Sequence, residues 1–283
     1  MRTHVSIVVE PHQDATRQLL VPTGLPTPHQ MPVHFDVSGA TFALTGENTT
    51  GQMAALVTPV AGQVVEIRYV FSEAGPGYPD SIFVPHRNRF TMAAEALVFD
   101  AINISEAQPD EHTAIQALVN AAAEKFRYAH PQVRFNDGCD EVPYLACGTS
   151  EGSCVDINTY LIASLRAAGF EAAYVTGYFF PEEKSGCCSD MHCWVLTRHD
   201  GVVLEWDIAH HLKMGTRDIC CGLNPKPGDR VAVAHSMGLT FPELGIECEK
   251  LIAEPAWVNQ AGHLEAAEVT IRRKIVGAFD EFV

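Results

Sequence analysis

Three residues of this 283-residue chain have the types and order that nucleophilic acyl chemistry needs: Cys154, His192 and Asp207. Cys154 follows Gly152-Ser153 at the predicted start of a helix. Unpaired backbone amides and the helix dipole favour an anion there, which stabilises a thiolate near neutral pH. His192 can accept the thiol proton, and Asp207 offers a carboxylate that fixes the imidazole tautomer and supports its charged form. Each residue alone has an ordinary structural explanation, as a small buried thiol, a core histidine or a strand-end cap. Their order along one helix and two strands makes the signal.

The elements that must position them are legible from patterning. Ser153 is an N-cap, Ile157, Leu161, Leu165 and Ala168 form an apolar helical face, and Gly169 closes it. Residues 172–180, 191–197 and 202–207 read as strands, and His199-Asp200-Gly201 is a tight-turn signal between the last two. A hairpin there places positions 192 and 207 on neighbouring strands at the same end. Upstream, residues 92–102 and 111–128 have helical periodicity, with Asp110 as N-cap of the second. Residues 127–152 are irregular, with Pro131, Gly138, Pro143 and Gly148; a loop of that length inside a domain is usually functional or disordered. In the first ninety residues Val5, Ile7 and Val9 alternate with polar residues, residues 35–37 and 42–44 do so more loosely, and residues 64–71 are β-branched and aromatic-rich. These patterns predict a small antiparallel β domain over residues 1–90 and a catalytic domain over 91–283.

Composition narrows the partners. The chain is 47% hydrophobic with a formal net charge of −16, and it has no basic cluster, which argues against nucleic-acid or anionic-membrane binding. No apolar run approaches the roughly 20 residues of a membrane span, and residues 5–9 are too short for a signal-peptide core. The nine cysteines are an odd number that includes the adjacent pairs Cys187-Cys188 and Cys220-Cys221, so mostly reduced thiols and a cytoplasmic protein are expected. A zinc site from Cys187, Cys188, Cys193, Cys220 and Cys221 with His210 and His211 is the weaker alternative. Cys220-Cys221 lacks the spacer of a zinc knuckle, and no metal or organic cofactor is expected.

The segments Gly152-Ser153-Cys154, Leu165-Arg166-Ala167-Ala168-Gly169-Phe170-Glu171-Ala172, Val175-Thr176-Gly177-Tyr178, Asp190-Met191-His192-Cys193-Trp194 and Glu205-Trp206-Asp207 resemble the transglutaminase-like superfamily. More narrowly, the chain is similar to bacterial transglutaminase-like proteins with an N-terminal β region. The resemblance is most specific over about residues 110–240. It implies an α+β fold: a papain-like core, with the nucleophile helix packed on an antiparallel sheet, preceded by a small antiparallel β domain. It also implies a Cys-His-Asp triad on Cys154, His192 and Asp207, working through a thioester. Hydrolysis of a peptide or isopeptide bond is the favoured activity. Amide-forming acyl transfer, a non-catalytic protein or a zinc-binding protein on the same fold are the alternatives. The substrate would be a peptide, a protein or a small amide. Tyr144, in the loop before the nucleophile, is the candidate oxyanion-stabilising residue, and Trp194 the candidate substrate-binding residue. Two departures stand out: Ile208-Ala209-His210-His211 follows the acid in place of the family's Pro-Thr, and Cys193 stands where Ala is usual.

Overall fold

Val5, Ile7 and Val9 alternate with polar residues because one face of their strand closes a core, and all three are buried. The structure, a computed structural model, describes residues 1–189, 191–223, 225–250, 252–259 and 261–277. Its first part runs Arg2–Val9 (β1), Gln18–Pro22 (β2), Gln30–Ser38 (β3), Ala40–Gly46 (β4), Met53–Pro59 (β5) and Val65–Glu73 (β6). Helices Glu95–Glu106 (α1) and Glu111–Lys125 (α2) follow, then the short strands Phe126–Tyr128 (β7) and Ser150–Gly152 (β8). Next come Cys154–Ala167 (α3), Glu171–Pro181 (β9), Cys187–Cys188 (β10), Met191–His199 (β11), Val202–Trp206 (β12), Ile208–Lys213 (α4) and Gly228–His235 (β13). The chain finishes with Leu239–Phe241 (β14), Ile246–Cys248 (β15), Ala256–Val258 (β16), Leu264–Ala266 (β17) and Val269–Val276 (β18).

Two five-stranded sheets, ordered β10-β18-β1-β6-β3 and β17-β16-β2-β5-β4, face each other across a core that includes Ile7, Leu19, Val57, Ile67 and Phe71. Both take strands from the far end of the chain. β18 pairs antiparallel with β1 from Arg2↔Val276 to Val9↔Val269, and β16 pairs with β2. The sheet pairing therefore crosses the division at residue 90: residues 256–276 complete the β part, which sequence patterning alone assigns to residues 1–90. A sheet ladder needs partners, and nothing local to a strand says where in the chain its partner lies.

The α+β class and the helix-on-sheet core are as expected. A four-stranded antiparallel sheet, β12-β11-β9-β13, carries α1, α2 and α3 on one face. Leu118, Ile157, Leu161, Tyr174, Val195 and Trp206 are buried between them. The opposite face presents Val175, Trp194 and Leu196 to Leu25, Ile82 and Phe83. At the β9–β13 contact Gly177 is required by close approach, since a Cβ there would lie 1.8 Å from the Val231 carbonyl oxygen. Gly177 pairs with His192 on the other side, so this tight spot adjoins the strand that carries His192. No helix among the described residues is long and apolar enough to cross a membrane.

Candidate active site

Cys154 is delivered by a clamp of two short strands, one where the helical periodicity of residues 111–128 overruns the helix, which ends at Lys125, and one at the end of the irregular stretch 127–152. β7 and β8 pair in parallel, Phe126↔Ser150 to Tyr128↔Gly152, so the long excursion between them opens and closes at the start of α3. Gly152 lies against the Phe126 ring, where a Cβ would come within 2.7 Å of Cδ1. Ser153 caps α3, and Asp156 Oδ2 accepts hydrogen bonds from its backbone N–H (2.8 Å) and its hydroxyl (2.7 Å). Arg134, from the excursion, sits 3.6 Å from the same carboxylate. Cys154 is thus the first helical residue, and it is 5% exposed.

Its thiol contacts Cys193 and His192. A hydrogen bond from Cys193 is the largest influence holding the Cys154 thiol well below its usual range, followed among the favourable effects by the bond and charge of His192 and the charge of Lys213; burial opposes them. Burial pushes the Cys193 thiol well above its usual range. The two shifts run in opposite directions, so the pair favours the proton on Cys193 and negative charge on Cys154.

The hairpin of β11 and β12 closes at His199↔Val202, with Asp200 (φ 49°) and Gly201 (φ 75°) in the turn. The ladder ends at Trp206, and Asp207 is the N-cap of α4. One carboxylate does two jobs. Oδ1 accepts the His210 backbone N–H at 3.0 Å, while Oδ2 lies 3.0 Å from His192 Nε2 and leaves Nδ1 for the thiol side. Burial of the imidazole favours its neutral form, but the Asp207 charge and hydrogen bond outweigh this and raise the His192 pKa. Burial likewise penalises the fully enclosed Asp207 carboxylate, yet His192 and Arg230 hold it well below the ordinary range.

His210, singled out in the sequence only as a zinc candidate and a departure, and Arg230, not singled out at all, both join the site. The His210 ring stacks on His192 with centroids 4.0 Å apart and planes 4° from parallel. Its Nδ1 is 2.9 Å from Asp207 Oδ2 and 3.1 Å from Arg230 Nη2. Burial brings His210 down to about 4, so it stays neutral beside the imidazolium. Arg230, on β13, donates to Asp207 Oδ2 with its guanidinium over the rings of Phe179 and Trp194. The signal for His210 was its place three residues after the acid, on the first turn of a helix. Arg230 precedes five consecutive buried residues of its strand, with no motif around it.

His192, Asp207 and His210 are also, among the described residues, the one group of three side chains with ligand atoms all within 4.8 Å of one another. The Arg230 guanidinium already supplies the positive charge there. The cysteines weighed for zinc are dispersed. Cys187 and Cys188 pair with β18, Cys193 lies beneath Cys154, Cys220 and Cys221 are exposed, and all nine thiols are free. Asp190 of the histidine motif lies outside the described residues. Tyr144 packs on the helical core with the Lys125 ammonium 4.9 Å over its ring, and none of its described contacts is with Cys154, His192 or Asp207. Trp194 is 1% exposed, with the Arg230 guanidinium over its ring.

Two openings flank the site and share Met191. A groove of about 1050 Å³ passes Val155 and Arg134 and is bounded on its far side by residues between 245 and 266. A pocket of about 100 Å³ is lined by His192, His210 and Phe179 with Lys184, Lys213 and Lys226, three of the chain's six lysines.

A thiol at a helix N-terminus, packed on an antiparallel sheet that presents an imidazole and its carboxylate, is the arrangement of a papain-like core. Residues 101–203 match the family model of the transglutaminase-like superfamily; the match includes Cys154 and His192 and stops short of Asp207. The structure is similar to that of a protein from Cytophaga hutchinsonii described as a "putative cysteine protease", with 13% identity, 96% of each chain covered and a TM-score of 0.53, a likeness of fold. It also overlaps the periplasmic domain of TgpA from Pseudomonas aeruginosa, with 16% identity, 74% of this chain and 89% of that one covered, and a TM-score of 0.39. No curated protein matches the chain.

Proposed function

We propose that the protein is a cysteine-dependent hydrolase of peptide or isopeptide bonds, with Cys154, His192 and Asp207 as its triad. The observation that carries this reading is the placement of His192 between a lowered thiol and a buried carboxylate. Cys154 Sγ attacks the substrate carbonyl, and the imidazolium gives its proton to the departing amine as the thioester forms. Neutral His192 then takes a proton from water, whose oxygen displaces the thiolate and releases the acid. Asp207 holds Nε2 throughout and keeps the tautomer. The backbone N–H of Cys154, at the first helical position, has no intrahelical acceptor and is the oxyanion donor in this scheme. The long groove beside Val155 suits an extended peptide. Nine free thiols suit a reducing compartment such as the cytoplasm.

The test is to incubate the protein with a peptide and isopeptide library, with and without a primary amine, and to measure intact mass. An acyl adduct on Cys154, absent from Cys154→Ala, with release of free acid is expected. An amide product that forms only with added amine would convert the reading to acyl transfer. Full turnover by Cys154→Ala would overturn both.

A further inference from the structure

The nucleophile's nearest sulfur partner is itself a cysteine, on a different element. Cys193 follows His192 on β11 but points to the opposite face of the sheet, toward α3, and is fully buried. Its Sγ is hydrogen-bonded to Cys154, lies 3.1 Å from the Tyr174 hydroxyl and receives the Asn158 amide at 3.4 Å. The same amide holds the Cys193 carbonyl at 3.0 Å, so Asn158 of α3 pins the second thiol under the first. Two sulfurs held in contact, one at a helix N-terminus and the other fixed beneath it by Asn158 and Tyr174, are placed as the attacking and the resolving thiol of a peroxide reaction must be.

We propose that Cys154 and Cys193 form a reversible disulfide when the protein meets hydrogen peroxide, which switches the site off and protects its nucleophile. This rests on Cys154 being the reactive thiolate of the function proposed above. The Cys154 thiolate attacks the peroxide O–O bond and becomes a sulfenic acid, while the departing oxygen is reduced and takes a proton from the His192 imidazolium to leave as water. The Cys193 sulfur then attacks the sulfenic sulfur. The S–O bond breaks, the thiol proton leaves with the hydroxyl as a second water, and the S–S bond forms. Two thiols have lost two electrons to one peroxide. The sulfurs must close from hydrogen-bond contact to about 2.05 Å, which draws the first turn of α3 toward β11. A small-molecule or protein dithiol returns both sulfurs to thiols.

The experiment treats the full chain with hydrogen peroxide, alkylates remaining thiols with iodoacetamide and maps the digest by mass spectrometry. In the native protein the Cys154 and Cys193 peptides appear linked, Cys154 alkylation falls at least tenfold, and dithiothreitol restores it. In Cys193→Ala, and in Cys193→Ser should the first variant fold poorly, Cys154 instead gains two oxygens and is not restored. Products are compared at equal total oxidation of Cys154, because losing the Cys193 hydrogen bond also changes its rate. Sulfinic Cys154 in the native protein with no linked peptide overturns the proposal, as does linkage to any cysteine other than Cys193. Rapid alkylation of Cys154 before peroxide leaves the nucleophile reading standing in that case; resistance to both reagents removes the two together.

Discussion

At the residue scale, the site depends on a thiol that sequence reading noticed only as a departure and as a zinc candidate. Cys154, His192 and Asp207 were legible because each type has one job in acyl chemistry and their order fits a helix and a hairpin. The contact of Cys193 with Cys154 was not legible, since it depends on how far α3 overlaps β11, and no spacing rule records that. Tyr144 shows the converse: proximity in sequence to the nucleophile selected a residue whose ring packs against Lys125. The structure makes Cys193 testable in the resting protein too. A hydrogen bond to a charged group contributes about 1.5–3 kcal/mol, and 1.4 kcal/mol is a tenfold change in an equilibrium. Cys193→Ala should therefore raise the Cys154 pKa and slow its alkylation at about pH 6 by roughly tenfold or more. Rates at high pH, where Cys154 is ionised in both proteins, should hardly differ. A variant that matches the native protein across the whole pH–rate profile would show that the bond does not bias the thiolate.

At the element scale, the hairpin was read from His199-Asp200-Gly201 and the position of Asp207 followed from it, but the structure puts the acid one residue beyond the ladder, at the head of α4. α4 is only six residues long, too short for a periodicity signal, and β13 has no polar alternation, being buried throughout residues 231–235. These two unforeseen elements bring in His210 and Arg230. They also alter what Asp207→Asn should do. The amide keeps an oxygen for the cap but presents N–H where His192 Nε2 needs an acceptor. Turnover should fall roughly 10- to 10³-fold, less than the ~10⁴ of a serine enzyme because a thiolate–imidazolium pair leans less on its third member. KM should change little, since the carboxylate faces away from substrate. Stability should fall as well, because a buried carboxylate that faces His192, His210 and Arg230 is replaced by a neutral amide. Kinetics and denaturant unfolding on one preparation check both effects; near-native turnover in a folded variant would reduce Asp207 to a helix cap. Gly177→Ala addresses β13 from its other side. A methyl group 1.8 Å from the Val231 oxygen must push that strand, and Arg230 with it, away from β9. A lowered Tm together with a lowered turnover is expected, and a silent substitution would show that the close approach is slack.

At the scale of the whole molecule, the two ends of the chain meet in one sandwich, and the catalytic sheet shares its core through Tyr178 and Phe180. The alternation of β1 was enough to predict a buried strand, yet the identity of its partner, β18, is a property of the closed fold and not of any window of sequence. Such a fold also buries histidines at several seams, and their charge states set how stability depends on pH. His210 beside the triad and His235, at the end of β13, are both brought down to about 4 by burial. In the unfolded chain each titrates near 6.5, so between about pH 6.5 and 4 the unfolded state binds protons that the folded state refuses. Stability from these two is intact above that window and is lost as pH falls through it, by about 3 kcal/mol for each histidine at pH 4. His192 has the opposite sign. Its raised pKa gives stability that is full below 6.5 and lost as pH rises through the folded value. Asp207, held low, contributes above its unfolded value of about 3.9 and loses that only as pH falls through its depressed folded one. Acidification toward the pI of about 5.1 also relieves the self-repulsion of a chain at −16, which works against the histidine effect. The difference between two proteins of nearly equal charge isolates it. His235→Gln is the variant of choice, because His235 bonds Ser236 and Gln52 and touches none of the triad. Unfolding free energies of the native protein and the variant, measured from pH 8 to pH 4, should diverge as pH falls, the variant losing about 3 kcal/mol less by pH 4. Parallel profiles would show that His235 takes up its proton in the folded state without penalty, and that its burial is looser than the packing around β13 indicates.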